Sequence, residues 1–214
     1  APICTDHTHC QAYLSLEDAA SKWGQEWVVN SWGKVSQAVD STTGVMMLYN
    51  GVPVNALFHS TSSGHTESSK DVWGGDVPYL VGVDSPGDKE SPKYVSQKQM
   101  RVEEFKQAIL QQYPDTKFTK DELVTNITRS NAGGIIAAEV GSTTIKGTQL
   151  RSIFGLQSSN ITFHIDKNTV TMDVLGYGHG VGMSQYGANY LAGQGMNYID
   201  ILKTYYSGVT FSNP

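Results

Sequence analysis

The sequence predicts an α+β fold, built as a single mixed domain over residues 1–214 with β-hairpins and several short helices. Two observations support this prediction. Short segments with the apolar spacing of helices and short segments with the composition of strands both occur along the chain. No internal repeat, low-complexity tract or proline-rich linker interrupts the 214 residues, which are enough for one well-buried core.

Cap residues and apolar spacing predict helices at separate places along the chain. Ser15 precedes the two acids of a first turn, and a short helix continues from there to Gly24. Residues 102–113 carry apolar side chains at helical spacing. Asn197 is a suitable cap for a C-terminal helix that ends before Gly208. These helices are amphipathic, so we expect one face of each to pack on the core.

The Asn50-Gly51 pair predicts a β-hairpin, because both residues accept the positive φ angles of a type I′ turn. Its strands are expected over residues 45–49 and 52–58. The second strand leads into the polar segment 59–66, and small polar residues that follow a strand often belong to binding sites. Further short strands are predicted around Ile127, 135–140 and 161–165.

The charge balance excludes nucleic-acid binding as a main function. A net charge of -5 and a pI near 5.6 leave no basic stripe that could neutralise phosphates. No apolar run approaches the roughly 18 residues of a membrane-spanning helix, and the first residues lack the apolar core of a signal peptide. Any targeting segment or membrane anchor is therefore expected to be absent from this sequence.

A run of spaced glycines, GYGHGVGMSQYGA at residues 176–188, is the most informative local pattern. Glycines let the backbone approach a ligand closely, while side chains such as His179 are displayed. Ser184 can cap a following helix, whose amide donors would then face the same cleft. The alternative is a bulged strand packed against a neighbour with His179 buried, and the spacing alone leaves both interpretations open.

Several motifs, in a fixed order, resemble those of the sporulation stage II protein D and amidase-enhancer family of bacterial cell-wall proteins. The resemblance covers nearly the whole chain, and the glycine-rich motif at residues 178–188 is its most specific part. The other motifs are THCQ at 8–11, FHSTSSGHTE at 58–67, PYL at 78–80, VDSP at 83–86, LRSIFGL at 150–156 and ILKTYY at 201–206. Their order decides in favour of the ligand-binding interpretation of the glycine run.

The resemblance implies a lytic transglycosylase that cleaves peptidoglycan glycan strands whose stem peptides have been removed. Such an enzyme needs a protonated carboxylic acid that donates to the glycosidic oxygen, after which the C6 hydroxyl of muramic acid closes a 1,6-anhydro ring. The family's catalytic glutamate lies in a segment resembling Val-Pro-Ala-Glu-Met-Pro, and no such segment occurs in these 214 residues. The proton donor is therefore expected upstream of residue 1.

The matching motifs also imply which side chains hold the glycan. These are polar and aromatic residues of the two best-matched segments: His59, Ser62, Thr66, His179, Ser184, Gln185 and Tyr186. Four acids lie near the same motifs: Glu67, Asp71, Asp84 and Asp88. One of these acids could tune or replace the missing proton donor, and surface or helix-capping carboxylates are the alternative.

A cluster of potential metal ligands lies near the start: Cys4, His7, His9 and Cys10. Thiolates and imidazoles suit tetrahedral zinc, and zinc with four protein ligands would be structural. Cys4, His9 and Cys10 match the family pattern and are the preferred ligands, with His7 next. A Cys4–Cys10 disulfide is the alternative, because a cell-wall protein lies outside the reducing cytosol.

The resemblance further implies partners and a location. The expected partners are peptidoglycan glycan strands, an amidase and a multispanning membrane protein of the engulfment machinery. The protein is expected to be extracytoplasmic and anchored to the cell membrane through a segment absent from this sequence. Two other functions stay open, namely a non-catalytic glycan-binding amidase enhancer and a zinc-dependent cell-wall hydrolase with an open coordination position.

Overall fold

The computed structural model describes residues 4–5, 13–119 and 123–212 of the chain. The chain forms two compact units. Residues 47–211 make up the larger unit, and the described residues up to Met46 together with Ser212 make up the smaller one. Helices and strands are both frequent, which confirms the predicted α+β class. The grouping of residues 1–214 as one domain stays a prediction.

The smaller unit is helical. Its helices are α1 Leu16–Trp23, α2 Gln25–Trp27, a π-helical stretch Val28–Trp32 and α3 Gly33–Ser41. The predicted cap is confirmed, since the Ser15 hydroxyl accepts a hydrogen bond from the Asp18 N–H at 3.0 Å. Helix α1 ends at Gly24 as predicted, where the backbone adopts a φ of 89°.

The larger unit contains short strands and helices. The strands are β1 Met47–Tyr49, β2 Val52–Pro53, β3 Phe58–His59, β4 Val95–Arg101, β5 Val124–Arg129, β6 Ile135–Val140, β7 Thr143–Lys146, β8 Ile161–Ile165, β9 Thr169–Leu175, β10 Met183–Ser184 and β11 Thr210–Phe211. The helices are α4 Ser69–Trp73, a 3-10 turn Pro86–Glu90, α5 Val102–Gln112, α6 Gly147–Phe154, α7 Gln185–Gly193 and α8 Tyr198–Tyr205. The predicted helices α5, α7 and α8 are confirmed.

These strands pair into small sheets rather than one large sheet. Two antiparallel sheets have the orders β4-β9-β8 and β5-β6-β7, a third has the order β11-β1-β2, and β3 pairs with β10 in parallel. The predicted hairpin is confirmed, with φ angles of 51° at Asn50 and 78° at Gly51. Its second strand is shorter than expected, although the Val54 N–H still donates to the Met47 carbonyl at 3.1 Å beyond Pro53.

Two apolar clusters form the interior of the larger unit. In the first, α5 and α6 pack on the β-sheets, and the rings of Phe105 and Phe154 stack with centroids 4.6 Å apart. The second contains Val181 together with Tyr205 and Tyr206 of the C-terminal segment. The glycine-rich residues after β9 therefore lead from one cluster, which includes Val174, to the other.

The cysteine and histidine cluster is described only in part. His7, His9 and Cys10 lie outside the described residues, so the zinc site and the Cys4–Cys10 disulfide both stay predictions. Within the described ranges, no group of three or more His, Cys, Asp or Glu side chains is arranged to hold a metal ion. Over the same ranges, no helix is long and apolar enough to cross a membrane.

Candidate functional site

Two sequence motifs that are far apart in the chain lie side by side in the structure. We call residues 59–67 the serine-rich segment and residues 176–184 the glycine–histidine run. Thr61 and Tyr177 exchange two backbone hydrogen bonds, of 3.0 and 2.7 Å. The Glu67 N–H donates to the Gly180 carbonyl at 2.8 Å, and β3 pairs with β10. The two segments therefore present one common surface.

A shallow open recess of about 20 Å³ lies where the two segments meet. Its lining includes Ser63, Glu67, Ser159, Asn160 and His179, and we call it the His179 recess. Hydroxyl, amide, imidazole and carboxyl groups line this recess together with apolar atoms. Such a lining suits a ligand that is rich in hydroxyl and amide groups.

His179 is half-buried and adjoins another aromatic side chain. Its Nδ1 accepts a hydrogen bond from the Val181 N–H at 3.1 Å, so in the neutral ring the proton resides on Nε2. Burial lowers the pKa of His179, and the charge of Arg151 lowers it further, although the Phe58 backbone opposes this change. A neutral imidazole at pH 7 binds by hydrogen bonding and cannot serve as the acid of a glycosidase.

His59 lies behind His179, with ring centroids 5.7 Å apart, and is only 4% exposed. Its Nδ1 lies 3.2 Å from the Val181 carbonyl, to which it donates in the neutral ring. Its Nε2 is buried without a hydrogen-bond partner among the described residues. Burial, and then the neighbouring His179, lower the pKa of His59 from 6.5 to about 4. His59 thus supports His179 from the interior.

This shift gives a testable pH dependence. Because His59 is protonated more readily in the unfolded chain, its contribution to stability decreases as the pH falls from about 6.5 to about 4. The loss is up to about 3 kcal/mol. We expect His59→Gln to flatten the pH dependence of the unfolding free energy, measured by urea denaturation between pH 7 and 4. His164→Gln, on the exposed face of β8, serves as the control, and equal slopes for wild type and His59→Gln would contradict the assignment.

Glu67 is the most informative acid of the site. It is 7% exposed, and its carboxylate accepts a hydrogen bond from the Gly134 N–H at 3.1 Å. Burial raises the pKa of Glu67, and the nearby Ser130 hydroxyl and the Gly134 amide partly oppose this effect. A carboxyl whose pKa is raised is better suited to donate a proton than an ordinary glutamate.

Asp88 joins the two segments from inside. It is fully buried, and its carboxylate accepts hydrogen bonds from Ser62 Oγ at 2.5 Å and from Ser184 Oγ. The Ser184 hydroxyl also accepts from the Gly187 N–H at 3.2 Å, which caps α7 as predicted. We call this arrangement the Asp88 link. It places Ser62 and Ser184 in the interior, where their hydroxyl groups are already used.

The other two candidate acids, Asp71 and Asp84, are a helix-capping carboxylate and a surface carboxylate, as the alternative interpretation expects. Asp71 lies in the first turn of α4, where its N–H and carboxylate both bond to the Ser68 hydroxyl. Asp84 is 92% exposed in its side chain and pairs with His65 at 2.8 Å. Neither carboxylate is buried within the His179 recess.

The remaining predicted glycan ligands occupy different positions. Thr66 is buried, and its hydroxyl accepts from the Val83 N–H at 2.9 Å. Gln185 is exposed and Tyr186 is half-buried, both in the first turn of α7. The structure therefore brings His179 and Ser62 to the recess, where the Ser62 hydroxyl is already bonded to Asp88, and it places His59, Thr66 and Ser184 beneath the surface. Glycan binding by all of them stays a prediction.

Three side chains near the recess were missed as site residues by the sequence analysis. Trp73 is 48% exposed, and its ring lies 5.3 Å from that of His179. Arg151 and Tyr177 line an adjoining recess. Arg151 belongs to a matched motif, but nothing in a single sequence indicates that it or Trp73 faces the glycine–histidine run. An exposed aromatic ring beside a polar recess suits stacking on a sugar.

Comparison with known proteins extends these observations. No protein-family model matches the chain. The chain is 38% identical, over 94% of its length, to stage II sporulation protein D of Bacillus amyloliquefaciens and of Bacillus subtilis. It is 27% identical, over 89% of its length, to the amidase enhancer of Bacillus subtilis. The chain belongs to the stage II sporulation protein D and amidase-enhancer family.

Membership of this family applies to nearly the whole chain but not to the whole of its relatives. The chain spans 57% of each matched stage II sporulation protein D and 34% of the matched amidase enhancer. The site residues described above all belong to residues 47–211, which form the larger unit. Any activity of the longer family members is therefore only proposed for this chain.

Proposed function

We propose that the chain forms the glycan-holding part of a lytic transglycosylase that cleaves denuded peptidoglycan strands to 1,6-anhydro-muramic acid products. The observation that carries this proposal is the pairing of a neutral His179 with a buried Glu67 of raised pKa on one polar recess. The imidazole can bind sugar hydroxyls, and a carboxyl of raised pKa is better suited than an ordinary glutamate to donate a proton to a glycosidic oxygen.

The proton donor has two candidate sources. The family resemblance places a catalytic glutamate in a segment that this sequence does not contain. We assign the proton transfer to that upstream glutamate and a supporting role to Glu67, whose carboxylate is held by the Gly134 N–H. The substrate's own C6 hydroxyl completes the reaction, so no activated water is required.

The names of the relatives support the biological setting of this proposal. Two of them are sporulation proteins, and a third is an amidase enhancer. We therefore place the protein at the cell wall during sporulation and engulfment, outside the cytoplasm and anchored to the cell membrane. An amidase that removes stem peptides and a membrane protein of the engulfment machinery are its proposed partners.

The test is digestion of denuded glycan, followed by mass spectrometry of the products. We expect 1,6-anhydro ends from a longer form that carries the glutamate segment, and a reduced rate after Glu67→Gln or His179→Ala. Glu103→Gln, exposed on α5, is the matched control. Reducing ends derived from water would contradict a transglycosylase. Unchanged glycan binding and cleavage by His179→Ala would contradict the assignment of the site.

A non-catalytic amidase enhancer is the second candidate. It is favoured by the engagement of Asp71, Asp84 and Asp88 with other side chains, which leaves Glu67 as the described acid on the recess. The same samples distinguish the two candidates. Glycan binding and faster amidase turnover, without anhydro products from any form of the protein, would support the enhancer.

A further inference from the structure

Arg151 lies in the last turn of α6, close to the glycine–histidine run. The helix ends at Gly155, which adopts the left-handed conformation, and the chain then turns back so that the Leu156 N–H donates to the Arg151 carbonyl at 2.9 Å. The Arg151 Nε–H in turn donates to the Leu156 carbonyl at 3.3 Å. The half-buried guanidinium group is therefore held in one orientation by its own helix end.

The terminal NH₂ groups of Arg151 have no acceptor in the part of the chain that the structure describes. Two other arginines differ from Arg151, because their guanidinium groups have acceptors. Arg129 donates to the carbonyls of Gly133 and Ile161, each at 2.7 Å, and Arg101 pairs with Glu104 at 2.8 Å. Because a guanidinium group has five N–H donors, Arg151 keeps a complete donor face for a ligand.

That donor face belongs to an open recess of about 480 Å³, which Thr148, Gln157 and Tyr177 also line. The Lys93 ammonium group lies 4.8 Å from the centroid of the Tyr177 ring. Two cationic side chains thus flank one aromatic ring in a chain whose net charge is -5. A local positive site in an acidic protein favours an anionic ligand over non-specific binding of polyanions.

The Arg151 recess continues into the surface described above. Gln157 and Tyr177 are followed in the chain by Ser158 and Gly178, which line the His179 recess. Thr148 also lines a small recess that contains Glu67. An anionic group bound at Arg151 would therefore sit on the same extended surface as a sugar at His179.

We infer that Arg151, with Lys93 near the adjoining Tyr177 ring, binds the lactyl carboxylate of muramic acid in denuded glycan. This inference rests on the proposed function and names the chemical group of the substrate, the lactyl carboxylate, by which the protein selects it. An amidase that removes a stem peptide converts a neutral amide on the lactyl group into a carboxylate. The planar guanidinium group pairs with a carboxylate through two parallel hydrogen bonds, which an amide cannot accept. The Tyr177 ring supplies a face for the adjoining sugar.

The test compares three ligands by titration calorimetry with the 214-residue chain. They are a denuded muramic acid–glucosamine tetrasaccharide with free lactyl carboxylates, the same tetrasaccharide with methylamide groups there, and the neutral N-acetylglucosamine tetramer. We expect the wild type to bind the carboxylate form about tenfold or more tightly than the methylamide form. We expect Arg151→Gln to bring this ratio close to one and to leave the affinity for the neutral tetramer unchanged.

Two further variants show whether a lost preference results from the missing guanidinium group or from a general effect on folding. Arg151→Lys retains the charge but loses the planar fork, so an intermediate ratio is expected. Arg101→Gln removes the same charge from an exposed ion pair and should keep the wild-type ratio. A wild type that binds both tetrasaccharides equally, or an Arg151→Gln chain that keeps the preference, overturns the inference and leaves the proposed function intact. Failure of the wild type to bind any of the glycans contradicts both.

Discussion

Replacing Asp88 by alanine is expected to lower the free energy of unfolding by about 3 to 5 kcal/mol. The carboxylate is fully buried and accepts hydrogen bonds from both Ser62 and Ser184. Its removal leaves two buried hydroxyl groups without their acceptor and opens a cavity beside the cap of α7. Urea denaturation measures the change, and glycan binding should be lost with it.

Two variants separate the causes of this loss. Asp88→Asn keeps the volume and one acceptor oxygen, so about half of the loss is expected. Asp84→Ala removes an exposed carboxylate from the same part of the chain and should change stability by less than about 0.5 kcal/mol. If Asp88→Ala were as stable as Asp84→Ala, the Asp88 link would not hold the two segments together.

Replacing Gly182 by alanine is expected to cost about 3 kcal/mol or more. Gly182 has a φ of 73°, and an added Cβ would lie 2.1 Å from the Leu57 carbonyl oxygen. That oxygen cannot move away easily, because it accepts hydrogen bonds from the Met183 N–H and the Tyr206 hydroxyl. The backbone of the glycine–histidine run must therefore shift, and glycan binding should fall together with stability.

Gly195→Ala is the matched control for this variant. Gly195 has a similar φ of 88°, but an added Cβ would meet no atom within 4 Å. This variant should show the conformational cost alone, about 1 kcal/mol. The same urea titration serves for both variants. A Gly182→Ala chain that matched Gly195→Ala would show that the close approach to Leu57 is unimportant.

Local signals in the sequence predicted part of the fold. The Asn50-Gly51 turn and the caps at Ser15, Ser184 and Asn197 are confirmed, because each depends on a few neighbouring residues. Strand β9 was missed although its burial alternates at Val170, Met172 and Val174, which is the pattern of a strand. That pattern was visible in the sequence.

Other helices and strands could not be predicted, because their local sequence patterns are weak. Strand β4 has the sequence VSQKQMR, which is mostly polar because the strand lies at the edge of its sheet with most of its side chains exposed. Helix α6 is short and begins at Gly147, a poor helix former. Both elements are stabilised mainly by tertiary contacts, which no local pattern contains.

The candidate site could be predicted only in outline. The motifs indicated the two segments that meet, and the structure confirms that they are adjacent. They did not indicate that Ser62, Thr66 and Ser184 are buried, or that Arg151 faces the same surface without an acid partner. Burial and pairing depend on which groups arrive from other parts of the chain, and a single sequence does not specify them.

The parallel pairing of β3 with β10 depends on the folding of the rest of the larger unit. These strands are only two residues long and are separated by most of the larger unit, so the entropy of closing that long loop must be overcome before they can pair. Such a pairing cannot persist in a partly unfolded chain. Hydrogen exchange at the Thr61 and Glu67 amides, which bridge the same segments, measures how readily these two segments separate. The surface that we propose for glycan then exists only in the folded molecule.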